Sequence, residues 1–169
     1  MKRLSKLLTV LLLAFTLIGS MGAVMAEEAA YGSAGALADD NLTLEEMLTY
    51  AIQDEYAAEA EYAKIIETYG AIRPYSNIVK AEAKHIASLT PLFEANGFAV
   101  PVNDAASKVV LPASLKESYA IGVQAEIMNI DMYNRFLDQE LPDTVRTVFE
   151  SLKKASESHL AAFERKVGK

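Results

Sequence analysis

Ionisable side chains interrupt the apolar stripes of four predicted helices, and they are the residues best suited to chemistry. In each of these segments apolar residues recur at three- and four-residue steps, which predicts one buried face per helix. The interrupting residues are Glu55, Glu82, His85, Glu126 and His159. The chain contains 2 histidines, and both belong to this set. Taken singly, each residue would be an ordinary hydrogen-bonded core carboxyl or a satisfied core histidine, but five together need a common explanation.

These carboxylates have no basic partner within the predicted stripes. Lys and Arg are absent from the stripes, since Arg73, Arg135 and Arg146 fall at other positions. An unpaired buried carboxylate is costly in free energy, or its pKa rises until it becomes neutral. A divalent metal ion is the simplest counter-charge for several of them. The pattern therefore predicts a metal site in the helical core.

The types of ligand narrow the choice of metal. Carboxylate oxygens and imidazole nitrogens without a thiolate favour iron or manganese, and zinc also fits. Glu82 and His85 are three residues apart, so both project from one side of a helix. Di-iron bundles use two such Glu-x-x-His pairs and two further Glu residues. Here Ser156 stands where the second pair needs Glu, which leaves the set one carboxylate short. Asn129, one turn after Glu126, could supply a weak ligand or a hydrogen bond.

The first predicted helix offers two carboxylates on the same face, Glu55 and Glu59. Glu126 and His159 are nearly level when counted from the turn that joins their helices. Counted in the same way from the first turn, Glu59 matches the depth of His85 better than Glu55 does. We take Glu55 as the ligand and keep Glu59 as the alternative.

The boundaries of the first two helices are marked by capping and breaking residues. The first helix begins at a capping box, Thr43-Leu-Glu-Glu46, and ends at Gly70. The second begins near Pro74 and ends before Gly97. Pro91 lies inside it and is expected to bend or interrupt its last turn.

The third and fourth helices and the loop lengths predict the topology. A second capping box, Ser114-Leu-Lys-Glu117, opens the third helix, and Leu141-Pro142-Asp143 separates it from the fourth. Short turns predict two antiparallel hairpins. The link between them has about 17 residues and reaches ~55 Å when extended, more than the ~33 Å of a helix of about 22 residues. We therefore expect an all-α fold, a ferritin-like four-helix bundle over residues 43–167 with one long crossover between the second and third helices.

The N-terminal segment predicts export. Lys2, Arg3 and Lys6 precede an apolar run over residues 7–18, and small or aliphatic residues follow up to Ala26. This order is typical of a cleaved signal peptide, 1–26, and the run is short for a membrane span. An uncleaved anchor is the alternative. Residues 27–42 are small and polar without periodicity, which predicts a flexible tether. The mature protein is expected in the periplasm, the cell wall or the medium.

Composition limits the partners. Without the three basic residues of the signal peptide, 13 of the 16 basic residues remain against 23 acidic ones, a net charge of −10. An acidic surface disfavours nucleic acid and anionic lipid as partners. No later stretch is long and apolar enough to span a bilayer, and Cys is absent, so no disulfide, thiolate nucleophile or lipid-modified cysteine is available. Metal ions, small molecules such as dioxygen or peroxide, and other proteins, including further copies of this chain, are the remaining partners.

Several motifs together resemble a known family. They are Asp54-Glu55-Tyr56, Pro74-Tyr75-Ser76-Asn77-Ile78, Ala81-Glu82-Ala-Lys-His85-Ile86, Leu92-Phe93, Gly122-Val-Gln-Ala-Glu126-Ile-Met-Asn129 and Ser156-Glu-Ser-His159-Leu-Ala-Ala-Phe163. Over about residues 43 to 166 the chain is similar to the ferritin-like domain-of-unknown-function 2202 family. The resemblance implies a ferritin-like fold and, by analogy with rubrerythrin and ferritin, a di-iron site, but no known substrate. The family also has Ser in the fourth-helix motif, which implies one metal or an asymmetric pair.

Three functional hypotheses follow. The leading one is an exported non-haem protein that holds one or two iron ions and acts on iron, dioxygen or peroxide, with Tyr62, Tyr119 or Tyr133 donating hydrogen bonds near the site. The second is metal binding without turnover, as a zinc, iron or manganese carrier, buffer or structural site. The third is a metal-free helical interaction module whose carboxyls are protonated and bonded to tyrosines. Whether the protein is an enzyme stays open at this level.

Overall fold

The structure is a computed structural model that describes residues 31–168. The predicted signal peptide and the first residues of the predicted tether lie outside this range. Within it the protein is all-helical and has no strand. The helices are α1 (Gly32–Ala38), α2 (Leu44–Tyr69), α3 (Tyr75–Ala95), α4 (Leu115–Leu137) and α5 (Asp143–Val167), and a short 3-10 helix covers Ala105–Ser107.

Helix α2 begins and ends where its capping residues predict. The Thr43 hydroxyl accepts a hydrogen bond from the Glu46 backbone N–H at 3.3 Å, and the Glu46 carboxylate accepts one from the Thr43 N–H at 2.8 Å. This reciprocal pair satisfies two of the free donors at the helix N-terminus. Gly70 ends the helix with φ +85°, a conformation that costs glycine little.

Helix α3 continues through Pro91 to Ala95, so Pro91 does not interrupt it. The end comes at Gly97, as predicted, through a double hydrogen-bonded turn. The Gly97 N–H donates to the Glu94 carbonyl at 3.1 Å, and the Phe98 N–H donates to the Phe93 carbonyl at 2.9 Å. This is the Schellman arrangement, which places Phe98 against the apolar core.

Helix α4 has only half of the second predicted capping box. The Ser114 hydroxyl accepts a hydrogen bond from the Glu117 N–H at 3.1 Å. The Glu117 carboxylate accepts its bond from the Ala113 N–H at 2.9 Å, one residue earlier than the motif requires. Both hydrogen bonds satisfy free backbone N–H groups at the start of the helix, so the helix still begins after Ser114.

The apolar core is divided into two clusters by a layer of ionisable residues. The first cluster includes Leu48, Ile52, Phe93, Phe136, Phe149 and Leu152. The second includes Tyr62, Ile65, Tyr75, Ile78 and Phe163. On every long helix the interrupting residues of the sequence pattern lie between the members of these clusters. The helices α2 and α3 pack as one pair and α4 and α5 as another, and the two pairs form a helical bundle.

Helix α1 lies inside the predicted tether, so the expectation of a flexible chain does not hold for these residues. Its small side chains allow close packing on α2 and α4, and Gly32, Ser33, Gly35 and Ala36 are buried. Arg135 of α4 donates to the backbone carbonyls of Ala36 and Asp39. A helix of seven residues is too short to show a readable apolar period, which explains the missed prediction. No helix between residues 31 and 168 has the length and apolarity needed to cross a bilayer.

Candidate metal centre

The structure brings all five predicted ligand residues into one buried cluster. They form two groups of three, Glu55 with Glu82 and His85, and Glu82 with Glu126 and His159. In each group one ligand atom per residue lies within 4.8 Å of the others. Oxygen and nitrogen atoms at such separations could converge on one ion per group after small side-chain rotations. These buried Glu and His groups could therefore hold a metal ion.

Glu82 is the residue that joins the two groups. Its Oε2 lies 2.7 Å from Nδ1 of His85, and its Oε1 lies 3.2 Å from Nδ1 of His159. Each oxygen of one carboxylate thus faces a different histidine. Nδ1 of His85 also lies 3.0 Å from Glu55, and Nδ1 of His159 lies 3.6 Å from Glu126. The geometry is that of two neighbouring three-residue groups with one shared carboxylate.

The alternative of Glu59 as the ligand on α2 is not favoured by the geometry. Glu55 is 2% exposed and sits in the cluster, whereas Glu59 is half-buried and outside both groups. The sequence-based comparison of depths assumed that the end of α2 and the start of α3 lie at the same height in the bundle. The two helices are joined by an irregular segment, 70–74, which removes that assumption.

Two tyrosines hold the outer carboxylates of the cluster in place. The Tyr133 hydroxyl donates to Oε1 of Glu55 at 2.8 Å, and the Tyr62 hydroxyl donates to Oε1 of Glu126 at 3.1 Å. Both tyrosines are buried. Tyr119, also considered as a donor, instead stacks on Tyr75 with ring centroids 5.6 Å apart. Hydrogen bonds of this kind orient carboxylates that bind metals.

Ser156 occupies the position where a sixth ligand was expected, and its hydroxyl is engaged elsewhere. It donates to Oδ1 of Asn129 at 2.6 Å, and Nδ2 of Asn129 donates to Asp54 at 2.7 Å. Asp54 in turn accepts the backbone N–H of Ser33 at 2.7 Å. Of the two roles that the sequence suggests for Asn129, a weak ligand or a hydrogen-bond partner, the structure shows hydrogen bonds beside the cluster.

A small cavity lies beside this hydrogen-bonded chain. Its volume is about 20 Å³, and its lining includes Glu55, Glu82, Glu126, Asn129 and Ser156. That volume is enough for one water molecule. The cavity borders Ser156, the position where a di-iron bundle has Glu. It leaves room for one water-sized ligand beside the carboxylates.

Protonated histidines balance the charge of the cluster when no metal is bound. Burial alone would lower the pKa of His85, but hydrogen bonds to Glu55 and Glu82 outweigh it and raise the pKa to about 10. For His159 the same opposition, with Glu126 and Glu82 as partners, raises the pKa to about 9. Both rings are therefore cationic at neutral pH without metal.

The three carboxylates respond differently to the same environment. Burial raises the pKa of Glu55 to about 8, although the hydrogen bond from His85 opposes it. Burial also raises the pKa of Glu126, against the effect of His159. Burial alone would also raise the pKa of Glu82. Hydrogen bonds from His159 and His85 outweigh that effect and lower the pKa to about 2. Glu82 is thus the carboxylate that stays ionised, and it lies between the two rings.

The donor set fits a divalent first-row metal. Two imidazoles and three carboxylates are the ligand types of iron, manganese and zinc sites, and the part of the chain that the structure describes has no thiolate to compete. Nδ1 of each histidine faces the carboxylates, so these nitrogens are the ones able to ligate. A bound cation would replace the protons that now neutralise the cluster.

The sequence interpretation missed Asp54 as part of the site. This residue lines the cavity and links α1 to Asn129. Burial raises its pKa, although hydrogen bonds from Asn129 and Ser33 oppose the shift. The tandem Asp54-Glu55 was a usable signal, because adjacent residues on a helix lie about 100° apart and both can border one cavity.

Comparisons with known proteins bear on the fold. No protein-family model and no curated protein matches this chain. The structure is similar to the crystal structure of a hypothetical protein from Methanococcus jannaschii DSM 2661, with a TM-score of 0.66 and 19% sequence identity. The match covers 77% of this chain and 83% of that protein. At this identity the similarity shows a shared helical fold and nothing about activity.

Proposed function

We propose that this chain is a ferritin-like, non-haem metal-binding protein whose resident metal is iron. The observation that carries the proposal is the pair of three-residue groups joined by Glu82 in the buried layer of the bundle. One carboxylate shared between two imidazole-containing groups is suited to one ion or to two neighbouring ions. Two of its five ligands form an i, i+3 Glu-x-x-His pair, as in di-iron bundles.

The order of the core clusters along the helices supports a ferritin-like topology. Helices α2 and α5 run from the first cluster to the second, while α3 and α4 run from the second to the first. Two helices that follow each other and run in the same direction need a connection back along the bundle. Residues 96–114, which join α3 to α4, supply it. We propose the four-helix bundle with one long crossover on this basis.

The chain's own residues define what the site would do. Glu55, Glu82, His85, Glu126 and His159 would hold the metal, which supplies redox chemistry toward dioxygen or peroxide when it is iron. Tyr133 and Tyr62 would keep Glu55 and Glu126 oriented through their hydroxyl groups. The cavity beside Ser156 would admit water or a similarly small molecule and exclude organic substrates.

Export remains part of the proposal on the strength of residues 1–26. Their order of basic, apolar and small residues is that of a signal peptide. We propose that the mature chain binds its metal outside the cytoplasm. Its partners would be the metal ion and a small oxidant, dioxygen or peroxide. Homo-oligomerisation is compatible with this function and is not required by it.

Elemental analysis tests the metal-binding proposal. Mature protein without an affinity tag, reconstituted with Fe(II), Mn(II) or Zn(II), is compared with the His85→Ala/His159→Ala double variant. We expect one or two equivalents of metal in the parent and none in the variant. No bound metal in the parent, despite unchanged helicity, would contradict the proposal.

An oxidase activity is the more specific form of the proposal. Fe(II) added aerobically to the metal-free protein should be oxidised faster than Fe(II) in buffer. The reaction is monitored by the absorbance of the ferric product. Peroxide in place of dioxygen distinguishes the two oxidants. Fe(II) that binds stoichiometrically but oxidises at the rate seen in buffer would leave binding intact and remove the oxidase.

Metal binding without turnover is a second candidate, favoured by the engagement of Ser156. Because residue 156 is Ser and its hydroxyl bonds to Asn129, the set holds three carboxylates where a symmetric di-iron site has four. A site with fewer anionic ligands binds two redox-active metal ions less tightly. Tight stoichiometric binding of zinc or manganese, with no redox response of bound iron, would favour this function.

A metal-free helical interaction module is a third candidate, favoured by the charge balance of the cluster. Protonated His85 and His159 already compensate the ionised Glu82 without a metal. The carboxyls of Glu55 and Glu126 also have tyrosine partners. In this case the double histidine variant would lose free energy of unfolding but no bound metal, since none would be present in the parent.

A further inference from the structure

A groove on the surface between α3 and α5 is lined by basic and neutral residues. Its volume is about 620 Å³, within the range of small-molecule sites. The residues that line it are Asn77, Lys80, Ala81, Lys84, His85, Ser88, Thr147, Val148, Ser151 and Leu152. None of them is acidic, although the chain has 23 acidic residues. The groove is therefore a basic strip on an acidic protein.

The two lysines of the groove are available to a ligand. Lys80 and Lys84 lie one helical turn apart on the same face of α3, and both are exposed. Neither makes a salt bridge with any of the residues 31–168, whereas Lys64, Lys108 and Lys153 each pair with a nearby carboxylate. Two like charges at this spacing repel each other, and an anion between them would remove that repulsion.

Neutral donors complete the groove on both sides. The hydroxyl of Ser151 on α5 and the side-chain amide of Asn77 on α3 make no hydrogen bond to another described residue. Ser88 and Thr147 are already engaged, since their hydroxyls donate to the carbonyls of Lys84 and Asp143 in their own helices. The free donors thus come from two helices and face a common space.

His85 connects the groove to the buried cluster. Its Nδ1 lies among the carboxylates, at 2.7 Å from Glu82 and 3.0 Å from Glu55, while the residue also lines the groove. Nε2, on the other side of the ring, has no partner within the described part of the chain and is not a buried atom. His85 therefore marks the place where the groove approaches the buried cluster.

We propose that the groove binds a small oxyanion, either phosphate itself or the phosphate group of a small ester, between Lys80, Lys84 and Ser151. Two ammonium groups, a hydroxyl and a side-chain amide are donors that match phosphate oxygens. Nothing anionic on the groove wall opposes such a ligand. The site is distinct from the carboxylate cluster, because its charged donors are exposed lysines on the surface of α3. The proposal concerns the metal-free protein and does not depend on the metal chemistry.

Titration of the metal-free mature protein with inorganic phosphate tests this site. Amide chemical shifts of ¹⁵N-labelled protein report where phosphate binds, and their concentration dependence reports the affinity. We expect saturable shifts at residues of the groove, reduced by added salt because the lysines are exposed. A second titration with glycerol phosphate separates the two sources: tighter binding of the ester would indicate that the rest of the groove also contacts the ligand.

A matched pair of double variants makes the test specific. Lys80→Gln/Lys84→Gln should weaken phosphate binding about fivefold or more, the effect expected from two exposed charge contacts. Lys64→Gln/Lys116→Gln removes the same charge from α2 and α4 and should bind phosphate as the parent does. All four positions are exposed, so folding should be little affected.

Two results would overturn the proposal. Equal weakening by both double variants would show that phosphate responds only to net charge. Shifts confined to residues outside the groove, or shifts that do not saturate, would show that no site exists there. Ser151→Ala gives an additional readout that leaves the charge unchanged, and it should also weaken binding.

Discussion

The imidazole rings of His85 and His159 lie nearly parallel, with centroids 5.7 Å apart and planes 25° from each other. They come from different helix pairs, α3 and α5, and meet only because the bundle closes around the buried layer. Two cationic rings so close would repel each other. Glu82, which stays ionised between them, offsets that repulsion, and a metal ion would do so by displacing the protons.

Removal of Glu82 should disable both halves of the site. Glu82→Gln keeps the size of the side chain but removes the charge shared by the two groups. We expect metal affinity to fall by more than the roughly 10–100-fold typical of outer-shell partners. The measurement is competition with a chelator of known affinity. Glu59→Gln, on the half-buried neighbour that stays outside the cluster, should bind metal as the parent does.

Metal binding should strengthen as pH rises. The pKa of His85 is about 10 and that of His159 about 9 without metal, so both rings carry a proton that a metal must displace at neutral pH. Glu55, with a pKa of about 8, adds a third proton over part of this range. Apparent affinity should increase from about pH 6 to about pH 8, with proton release measured by calorimetry in buffers of different ionisation enthalpy. A flat profile would contradict the charge balance described above.

Stability of the metal-free protein should change in the opposite direction. A histidine whose pKa is raised by folding stabilises the protein below its unfolded pKa of roughly 6.5, and the contribution disappears as pH rises through the folded value. For His159 and His85 that loss extends up to about 9 and about 10. The urea midpoint of the metal-free protein should therefore fall between neutral and alkaline pH. The His85→Ala/His159→Ala variant should lose this part of the pH dependence.

The Tyr133 hydroxyl should contribute to metal binding through its hydrogen bond to Glu55. Tyr133→Phe removes the hydrogen bond to Glu55 while keeping the ring in the core, and we expect metal affinity to fall roughly tenfold or more. Tyr119→Phe is the matched control, because this tyrosine stacks on Tyr75 and makes no bond to the cluster. Equal loss in the two variants, measured by chelator competition, would point to general destabilisation.

Asn129 should contribute to stability through both ends of its amide. Asn129→Ala would remove the donor to Oδ2 of Asp54 and leave the Ser156 hydroxyl with only the Leu152 carbonyl, and we expect unfolding to become easier by about 1–3 kcal/mol. Asn134→Ala removes the same side chain from an exposed position of α4 and should change stability much less. Urea denaturation compares the two. Similar midpoints for both variants would remove the hydrogen-bonded chain as a stabilising feature.

Much of the helical framework follows from local rules. The Thr43 capping box and the glycines after α2 and α3 are local features, and the structure confirms their positions. Helix α1 is the counterexample, since its seven residues carry no period and its contacts come from Asp54 and Arg135, distant in sequence. Pro91 is another, because the packing of α3 carries the helix past a residue that locally disfavours it.

The sequence by itself determined which residues enter the buried layer. Glu55, Glu82, His85, Glu126 and His159 each interrupt an apolar stripe, and helical periodicity is a local property that a chain displays directly. Only the tertiary structure decided how they meet. Distances between helices depend on packing across the bundle, which made Glu82 the shared carboxylate, directed Ser156 to Asn129 and opened the groove at His85. No spacing along one helix contains that information, because it arises where separate helices come together.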